Sequence, residues 1–239
     1  MKREEKKEKK QKTGSQSELQ ITARDILLIF WINGFGAATL VQIAAWMRVD
    51  SSTAARRIRK LVDAGLLRQL AVPLLVSPPF AATRAGCALA RDPLAPLSGI
   101  RVGTWRHDSF LVDIERDLES HFHGWLEPER RFRANRRFAA SRATHTPDAV
   151  IHRPGGGLIA IELELSAKAP MRLQEIINGY AATNEYERVA YLTDDEKLAK
   201  YITRFTKQFD FIDLKIHRTP EQRAAMVRPI STKHPGTQS

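Results

Sequence analysis

A run without any charged side chain, from Ile26 to Met47, restricts what this chain can fold into more than any other feature. The run is long enough to cross a bilayer, so a membrane-anchored protein is one interpretation. The segment NGFG at residues 33–36 interrupts it with two glycines, which is typical of a connection between two shorter helices. Thr39 and Gln42 add polar groups. We therefore favour two helices of a soluble domain and predict no membrane contact.

The charge of the chain indicates a polyanionic partner. Lys and Arg number 38 against 27 Asp and Glu, which gives a formal net charge of +11. Such a surplus attracts polyanions, and nucleic acid is the first to consider. Cys87 is the only cysteine, so an intrachain disulfide and a four-cysteine zinc site are both excluded. A cytoplasmic location fits this composition.

The segment between residues 19 and 90 predicts a winged helix-turn-helix. Thr22 is placed to cap a first helix, Gly65 to end a third, and Thr83 to cap a fourth. The segment LLRQLAVPLLVS, around Pro73, predicts two short strands. The three predicted helices that precede these strands are ARDILLIFWIN, TLVQIAAWM and STAARRIRKLVDAG. Three helices followed by a β-hairpin are typical of this fold.

The third helix has a basic face. Ala54, Ile58, Leu61 and Val62 form its apolar stripe. In winged helices this helix commonly lies in the major groove of DNA. The predicted DNA-binding residues on the other side are Thr53, Arg56, Arg57 and Lys60. A solvated helix face, or a winged helix that contacts only proteins, is the alternative, but the net charge favours DNA.

A second domain is predicted from residue 105 to 217. Its pattern is a helix, three strands, a helix and a strand, followed by a further helix and strand. The order αβββαβ predicts a mixed central sheet, so the whole chain belongs to the α+β or α/β class. Residues 91–104, with prolines and glycines, predict a linker. The ends, residues 1–18 and 218–239, predict a disordered basic arm and a flexible tail.

An arginine-rich segment, RRFRANRRF, connects the first two predicted strands of this domain. Arginines bind backbone phosphates, and aromatic rings can stack on bases. The candidates for DNA contact are Arg130, Arg131, Arg133, Arg136 and Arg137. The alternative is a solvated loop whose phenylalanines, Phe132 and Phe138, anchor it to the core.

The segment LIAIELELS predicts a strand with two glutamates on one face. Because side chains alternate along a strand, Glu162 and Glu164 point the same way. Asp148 opens the neighbouring predicted strand and can reach the same position. Three carboxylates repel one another unless they are protonated or neutralised, and Mg²⁺ prefers such oxygen-rich sites. Alternatively, the glutamates face solvent at a sheet edge.

These residues resemble the PD-(D/E)XK nuclease superfamily, through PD at residues 147–148, ELE at residues 162–164 and the αβββαβ order. The resemblance implies that Asp148 and Glu162 bind Mg²⁺ and that Glu164 occupies the third motif position, which helps to activate water. That position is usually lysine, and the nearest lysine here is Lys168. An acid on the first helix of the domain sometimes joins the site, and the candidates are Glu115 and Glu119.

Over residues 20 to about 205 the chain resembles the replication-relaxation family of bacterial mobile elements. The resemblance is carried by the three-helix segment, by AATRAGCALA after the wing, by His107 at the start of a helix, and by PDAVIHRPGGGLIAIELELS. It implies a DNA-binding protein, with a winged helix and a nuclease-like domain, that acts in replication or conjugative transfer. A relaxase or a replication initiator is the implied protein partner. The alternative function is a Mg²⁺-dependent endonuclease.

Overall fold

A computed structural model of the protein describes residues 19–72, 77–136 and 145–217. The predicted arm at residues 1–18 and the predicted tail at residues 218–239 lie outside the described residues. The described part folds as two packed units, one mainly helical and one built on a five-stranded sheet.

The N-terminal unit has the helix order of a winged helix-turn-helix. Its elements are α1 (Ala23–Phe35), α2 (Leu40–Met47), α3 (Ser51–Asp63), β1 (Leu67–Gln69), β2 (Phe80–Ala82) and α4 (Arg84–Leu89). The charge-free run forms α1 and α2, and Gly36 separates them with a φ of +91°, a conformation that favours glycine. No helix of the described residues has both the length and the apolar character needed to span a bilayer.

Capping side chains fix where these helices begin. Thr22 and Thr39 each form a capping box with the residue three positions on, and Thr83 accepts from the backbone N–H of Gly86. Asp50 caps α3 in the same manner. The predicted starts of α1, α2 and α4 thus agree with the structure.

The wing contains a strand that the sequence did not predict, whereas the predicted second strand falls mostly on residues 73–76, outside the described residues. β1 pairs with residues 80–82, which lie beyond the predicted strand segment, in an antiparallel ladder. Phe80 exchanges backbone hydrogen bonds of 2.8 and 3.0 Å with Ala38, in the connection between α1 and α2. The strand β2 thus has β1 on one side and Ala38 on the other, which explains its position.

The second unit is a mixed sheet covered by helices. Its elements are α5 (Val102–Phe122), β3 (Trp125–Pro128), α6 (Glu129–Arg136), β4 (Ala149–His152), β5 (Leu158–Leu163), α7 (Pro170–Ala181), β6 (Arg188–Thr193), α8 (Glu196–Thr206) and β7 (Ile212–Ile216). The strand order is β3-β4-β5-β6-β7, and the first two pairings are antiparallel and the last two parallel. The helix α5 begins at residue 102, three residues before the predicted start of the domain.

The helix α6 was not predicted, because its first residues were assigned to a strand and the rest to a loop. The ladder of β3 ends where the Glu129 N–H donates to the Asp148 carbonyl at 2.8 Å. The helical turn then buries Phe132, which is 6 % exposed, in the core. The interpretation of Phe132 as a core anchor therefore agrees with the structure.

The predicted alternation along β5 agrees with the structure. Ile159, Ile161 and Leu163 pack in one core cluster with α5, whereas Ala160 lies in a second cluster with α7 and α8. Glu162, on the same face as Ala160, is 1 % exposed. Since β5 is the central strand, the alternative of solvent-facing glutamates at a sheet edge is wrong.

Candidate DNA interface and acidic site

The exposed face of α3 is the candidate DNA interface. Arg56 and Lys60 are exposed there, as predicted, and Thr53 is half-buried and accepts a hydrogen bond of 3.1 Å from Arg56. Arg59 is also exposed, although the sequence argument left it out. It lies three residues after Arg56, and that spacing was the signal available to find it. We call Arg56, Arg59 and Lys60 the α3 basic face.

Arg57 does not belong to this face, contrary to the prediction. Its Nε donates to Asp25 Oδ1 at 2.7 Å, and its Nη2 donates to the Gln20 carbonyl at 2.9 Å. The Asp25 side chain is only 4 % exposed, so Arg57 neutralises a carboxylate that would otherwise be buried without a cation. Arg57 therefore joins α3 to α1.

Arg130 and Arg131 also have structural partners rather than free guanidinium groups. Arg131 donates to both oxygens of Asp92 at 3.0 and 2.9 Å, and its guanidinium lies 3.6 Å from the centre of the Phe30 ring. Arg130 donates to the backbone carbonyls of Asn33 and Ala95. These bonds connect α6 to the N-terminal unit, because α6 packs directly against α1. The prediction that both arginines contact DNA is therefore corrected.

The other arginines of this segment differ among themselves. Arg133 is exposed and forms an ion pair with Glu129, one turn earlier on α6. The side chain of Arg136, and the whole of Arg137, lie outside the described residues, and their predicted DNA contacts stay predictions.

Asp148 and His107 form the first half of the acidic site. Asp148, which precedes β4, accepts from the backbone N–H of Leu163 at 2.8 Å through Oδ2. The same oxygen lies 3.2 Å from His107 Nε2, on α5. Burial lowers the pKa of His107, but Asp108 and Asp148 outweigh it and raise this pKa to about 10. His107 is thus a cation at neutral pH and balances Asp148.

Glu162 forms the second half, within the core. Its Oε1 lies 2.7 Å from His145 Nε2 and accepts a hydrogen bond from the Tyr180 hydroxyl. Burial raises the pKa of Glu162 despite the hydrogen bond from His145, and the charge of Asp148 raises it further. The charge of Asp148 thus acts on Glu162, while the prediction that both bind one metal stays a prediction.

Glu164 and Lys168 complete the acidic site. Glu164 is 4 % exposed, and its backbone N–H donates to the Leu192 carbonyl at 2.8 Å. Lys168 forms an ion pair with the Glu164 carboxylate. Burial raises the pKa of Glu164, whereas Lys168 lowers it. The ammonium of Lys168 thus lies beside the Glu164 carboxylate although the residue is four positions further along the chain.

Glu115 and Glu119, the two candidates on the helix, have other partners. Both oxygens of Glu115 accept from the Trp31 indole N–H, at 2.9 and 2.7 Å, and Glu119 accepts from the Leu126 N–H at 2.9 Å. The residue of α5 that contacts Asp148 is His107 instead. Burial raises the pKa of Glu115 to about 7.

The sequence argument missed three residues of the acidic site, namely His107, His145 and Tyr180. His145 lies three residues before Asp148, which was the available signal. Tyr180 is buried in the core and also donates to Glu162.

Asp148 and Glu162 are the two carboxylates of the acidic site that a metal could use. Among the described residues, Asp148 uses Oδ2 and Glu162 uses Oε1 in the contacts described above. The described residues include no group of three or more His, Cys, Asp or Glu side chains arranged to hold a metal ion. Mg²⁺ usually takes only one or two carboxylates, with waters and phosphate oxygens as its other ligands. Asp148 and Glu162 are compatible with that pattern.

The end of the acidic site that His107 and Asp148 form opens towards the junction of the two units. His107 and Asp148 line a cavity of about 610 Å³. Its other walls come from the end of α1, the connection at residues 94–101 and the helix α6.

Comparison with known proteins bears on the N-terminal unit. Residues 21–73 match the model of the MarR family, a family of winged helix DNA-binding domains. The match confirms the predicted winged helix-turn-helix and covers α1 to β1. No curated protein matches the chain. No solved structure matches it either.

Proposed function

We propose that this protein binds double-stranded DNA through the α3 basic face and acts as an accessory protein of a mobile element, in its replication or conjugative transfer. The observation that carries the DNA-binding part is the exposed α3 basic face on a unit similar to the MarR family. The resemblance to the replication-relaxation family supports the setting. A relaxase or a replication initiator is the protein partner that this setting implies.

The junction between the two units supports a joint action on one duplex. Asp92, whose side chain is 0 % exposed, accepts from Asn33 of α1 at 2.9 Å and from Arg131 of α6. Gln42 of α2 donates to Ser109 and Asp113 of α5 at 2.9 and 2.8 Å. Because both sets of bonds join the units, a duplex bound at α3 would have a defined position relative to the acidic site.

The salt dependence of DNA binding tests this function. Arg56→Ala with Lys60→Ala removes two cations, so the slope of log K against log salt should become shallower by about 0.9 for each lost phosphate contact. The matched control is Lys200→Ala with Arg204→Ala, which removes two exposed cations at the same spacing on α8. Both slopes are measured by titrating a labelled duplex with protein at salt concentrations from about 50 to about 200 mM. An unchanged α3 slope, or an equal change in the control, contradicts the proposal.

A Mg²⁺-dependent endonuclease is the second candidate, and the acidic site favours it. Asp148 and Glu162 would hold the cation, while His107, His145 and Tyr180 would fix the orientation of the two carboxylates. Glu164 and Lys168 would position the attacking water. When bound, the cation neutralises phosphate charge and lowers the pKa of water.

A nicking assay separates the two candidates. Supercoiled plasmid is incubated with the protein and Mg²⁺ or Mn²⁺, and nicked product is measured on a gel. Activity that is lost in Asp148→Ala and in Glu162→Ala, but kept in Glu175→Ala, an exposed carboxylate on α7, establishes the endonuclease. Plasmid that stays intact in the presence of a protein that binds it supports the accessory role alone.

A further inference from the structure

Tyr191 lies beside the acidic site but was not among the predicted site residues. It is 0 % exposed, on β6, and its Cα pairs with that of Glu162 across the parallel ladder of β5 and β6. Paired residues of neighbouring strands project from the same face of a sheet. Tyr191 accordingly belongs to the core cluster that contains Tyr180, which donates to Glu162.

The Tyr191 hydroxyl has no hydrogen-bond partner among the described residues. Two other tyrosines of the same cluster do have one, since Tyr180 donates to Glu162 and Tyr201 donates to the Lys168 carbonyl at 2.8 Å. A buried hydroxyl without a partner is unfavourable, and a bound water or ion is a common explanation for one. The hydroxyl of Tyr191 therefore indicates a ligand beside it.

The surroundings of this hydroxyl identify the chemistry of that ligand. Burial raises the pKa of Tyr191, and the charges of Glu162, Glu164 and Asp148 raise it further. The hydroxyl therefore keeps its proton and lies within electrostatic reach of all three carboxylates. The ligand must accept a hydrogen bond from the phenol. It must also donate to the carboxylates or bind a cation that they hold, and water does both. A buried water needs two to four polar partners, and carboxylates that accept from it are such partners.

We propose that Tyr191 is a positioning residue of the acidic site, whose hydroxyl donates to a water molecule held by the three carboxylates. A hydrated divalent cation at Asp148 and Glu162 would keep that water, because Mg²⁺ retains several waters in its protein sites. Tyr191 thereby strengthens cation binding without touching the cation. The inference rests on the proposed metal role of Asp148 and Glu162.

Cation affinity tests the inference without any need for catalysis. The full chain is titrated with Mn²⁺, and free Mn²⁺ is measured by electron paramagnetic resonance. Tyr191→Phe should raise the Kd by about ten-fold, the lower end of the usual effect of partners outside the ligand shell. Tyr201→Phe, which removes a hydroxyl from the same core cluster, should leave the Kd unchanged.

Thermal unfolding of the metal-free variants distinguishes the alternatives. If the Tyr191 hydroxyl has no partner in solution, phenylalanine removes an unsatisfied group and the Tm rises. A raised Tm with unchanged Mn²⁺ affinity overturns the inference and leaves the metal role of Asp148 intact. If the wild-type protein binds Mn²⁺ no better than Asp148→Ala, the inference and the proposed metal role both fail.

Discussion

The α3 basic face and the acidic site hold their charges in opposite ways. Arg56, Arg59 and Lys60 are exposed and solvated, and they cost little to maintain in the folded protein. Glu162 on the central strand and Glu164 directly after it are both buried, and each has a side-chain partner, His145 for Glu162 and Lys168 for Glu164. A buried charge is unfavourable unless it is paired and hydrogen-bonded. The exposed charges are therefore free to bind an external partner, whereas the buried charges already have partners within the protein.

The arginines of this protein divide along the same line. Arg56 and Arg133 are exposed, whereas Arg57 and Arg131 neutralise carboxylates that are almost completely buried. All four lie in arginine-rich segments of the sequence. Substitutions at these positions test this division. The loss of a side chain should change the free energy of unfolding more when it leaves a buried charge unpaired than when it removes a solvated charge.

The largest effect is expected at the buried ion pair between Asp92 and Arg131. Arg131→Ala leaves Asp92, with a side chain 0 % exposed, without its cation at the junction of the two units. Removal of one partner of a buried pair costs about 3–5 kcal/mol. The free energy of unfolding, measured by urea denaturation, should fall by that amount.

Arg133→Ala is the matched control for this prediction, since it removes an arginine of the same helix whose partner Glu129 is 39 % exposed. Pairs of this kind contribute about 0.3–0.5 kcal/mol. Equal losses in the two variants would show that Arg131 does not act as a buried cation. The comparison between buried and solvated charges would then fail at this junction.

A smaller effect is expected at Arg57. Arg57→Ala removes the cation from Asp25, and an unsatisfied buried acceptor costs about 1–3 kcal/mol. Arg56→Ala, one residue earlier on α3, should change the free energy of unfolding by less than about 0.5 kcal/mol. Arg56→Ala should weaken DNA binding more than Arg57→Ala does, because Arg56 belongs to the α3 basic face and Arg57 does not. Urea denaturation and duplex titration of both variants measure the two orders.

An Arg57→Ala variant with full stability and weakened DNA binding would contradict the assignment. In that case Arg57 would contact DNA, as the sequence first indicated, and Asp25 would not require a cation.

The fold was largely predictable because its signals are local. Thr22 and Thr83 mark helix starts by their own side chains, and the alternation along LIAIELELS is a property of a single strand. The strand β2 was not predicted because Phe80 is held by Ala38, a partner 42 positions away that no local pattern reveals.

The acidic site shows the same division between local and long-range signals. Asp148 and Glu162 were found because their spacing within one hairpin brings them together. His107 was missed because it contacts Asp148 only through the packing of α5 against the sheet. Glu115 was chosen on its residue type, and the packing of α1 gave it Trp31 as a partner instead.

The smallest effect is expected at Glu115, a half-buried carboxylate at the junction of the two units. Its pKa is about 7 in the folded protein, above the ordinary value of 4.5. Between these two pH values the folded state binds more protons than the unfolded state, so the contribution of Glu115 to stability is complete below about pH 4.5 and is lost as pH rises through 7. After allowance for solvent screening, the loss should be about 1–2 kcal/mol.

Glu115→Gln isolates this contribution, because glutamine keeps the acceptor for the Trp31 indole N–H but does not titrate. Other titrating groups, including His107, are common to both proteins and cancel when the two are compared. The variant should therefore match the wild type near pH 4.5 and become relatively more stable as pH rises to 8, in urea denaturation at each pH. A difference in stability that does not change with pH would show that Glu115 is ionised throughout. Glu115 would then belong with the solvated charges of the α3 basic face rather than with the buried carboxylates of the sheet.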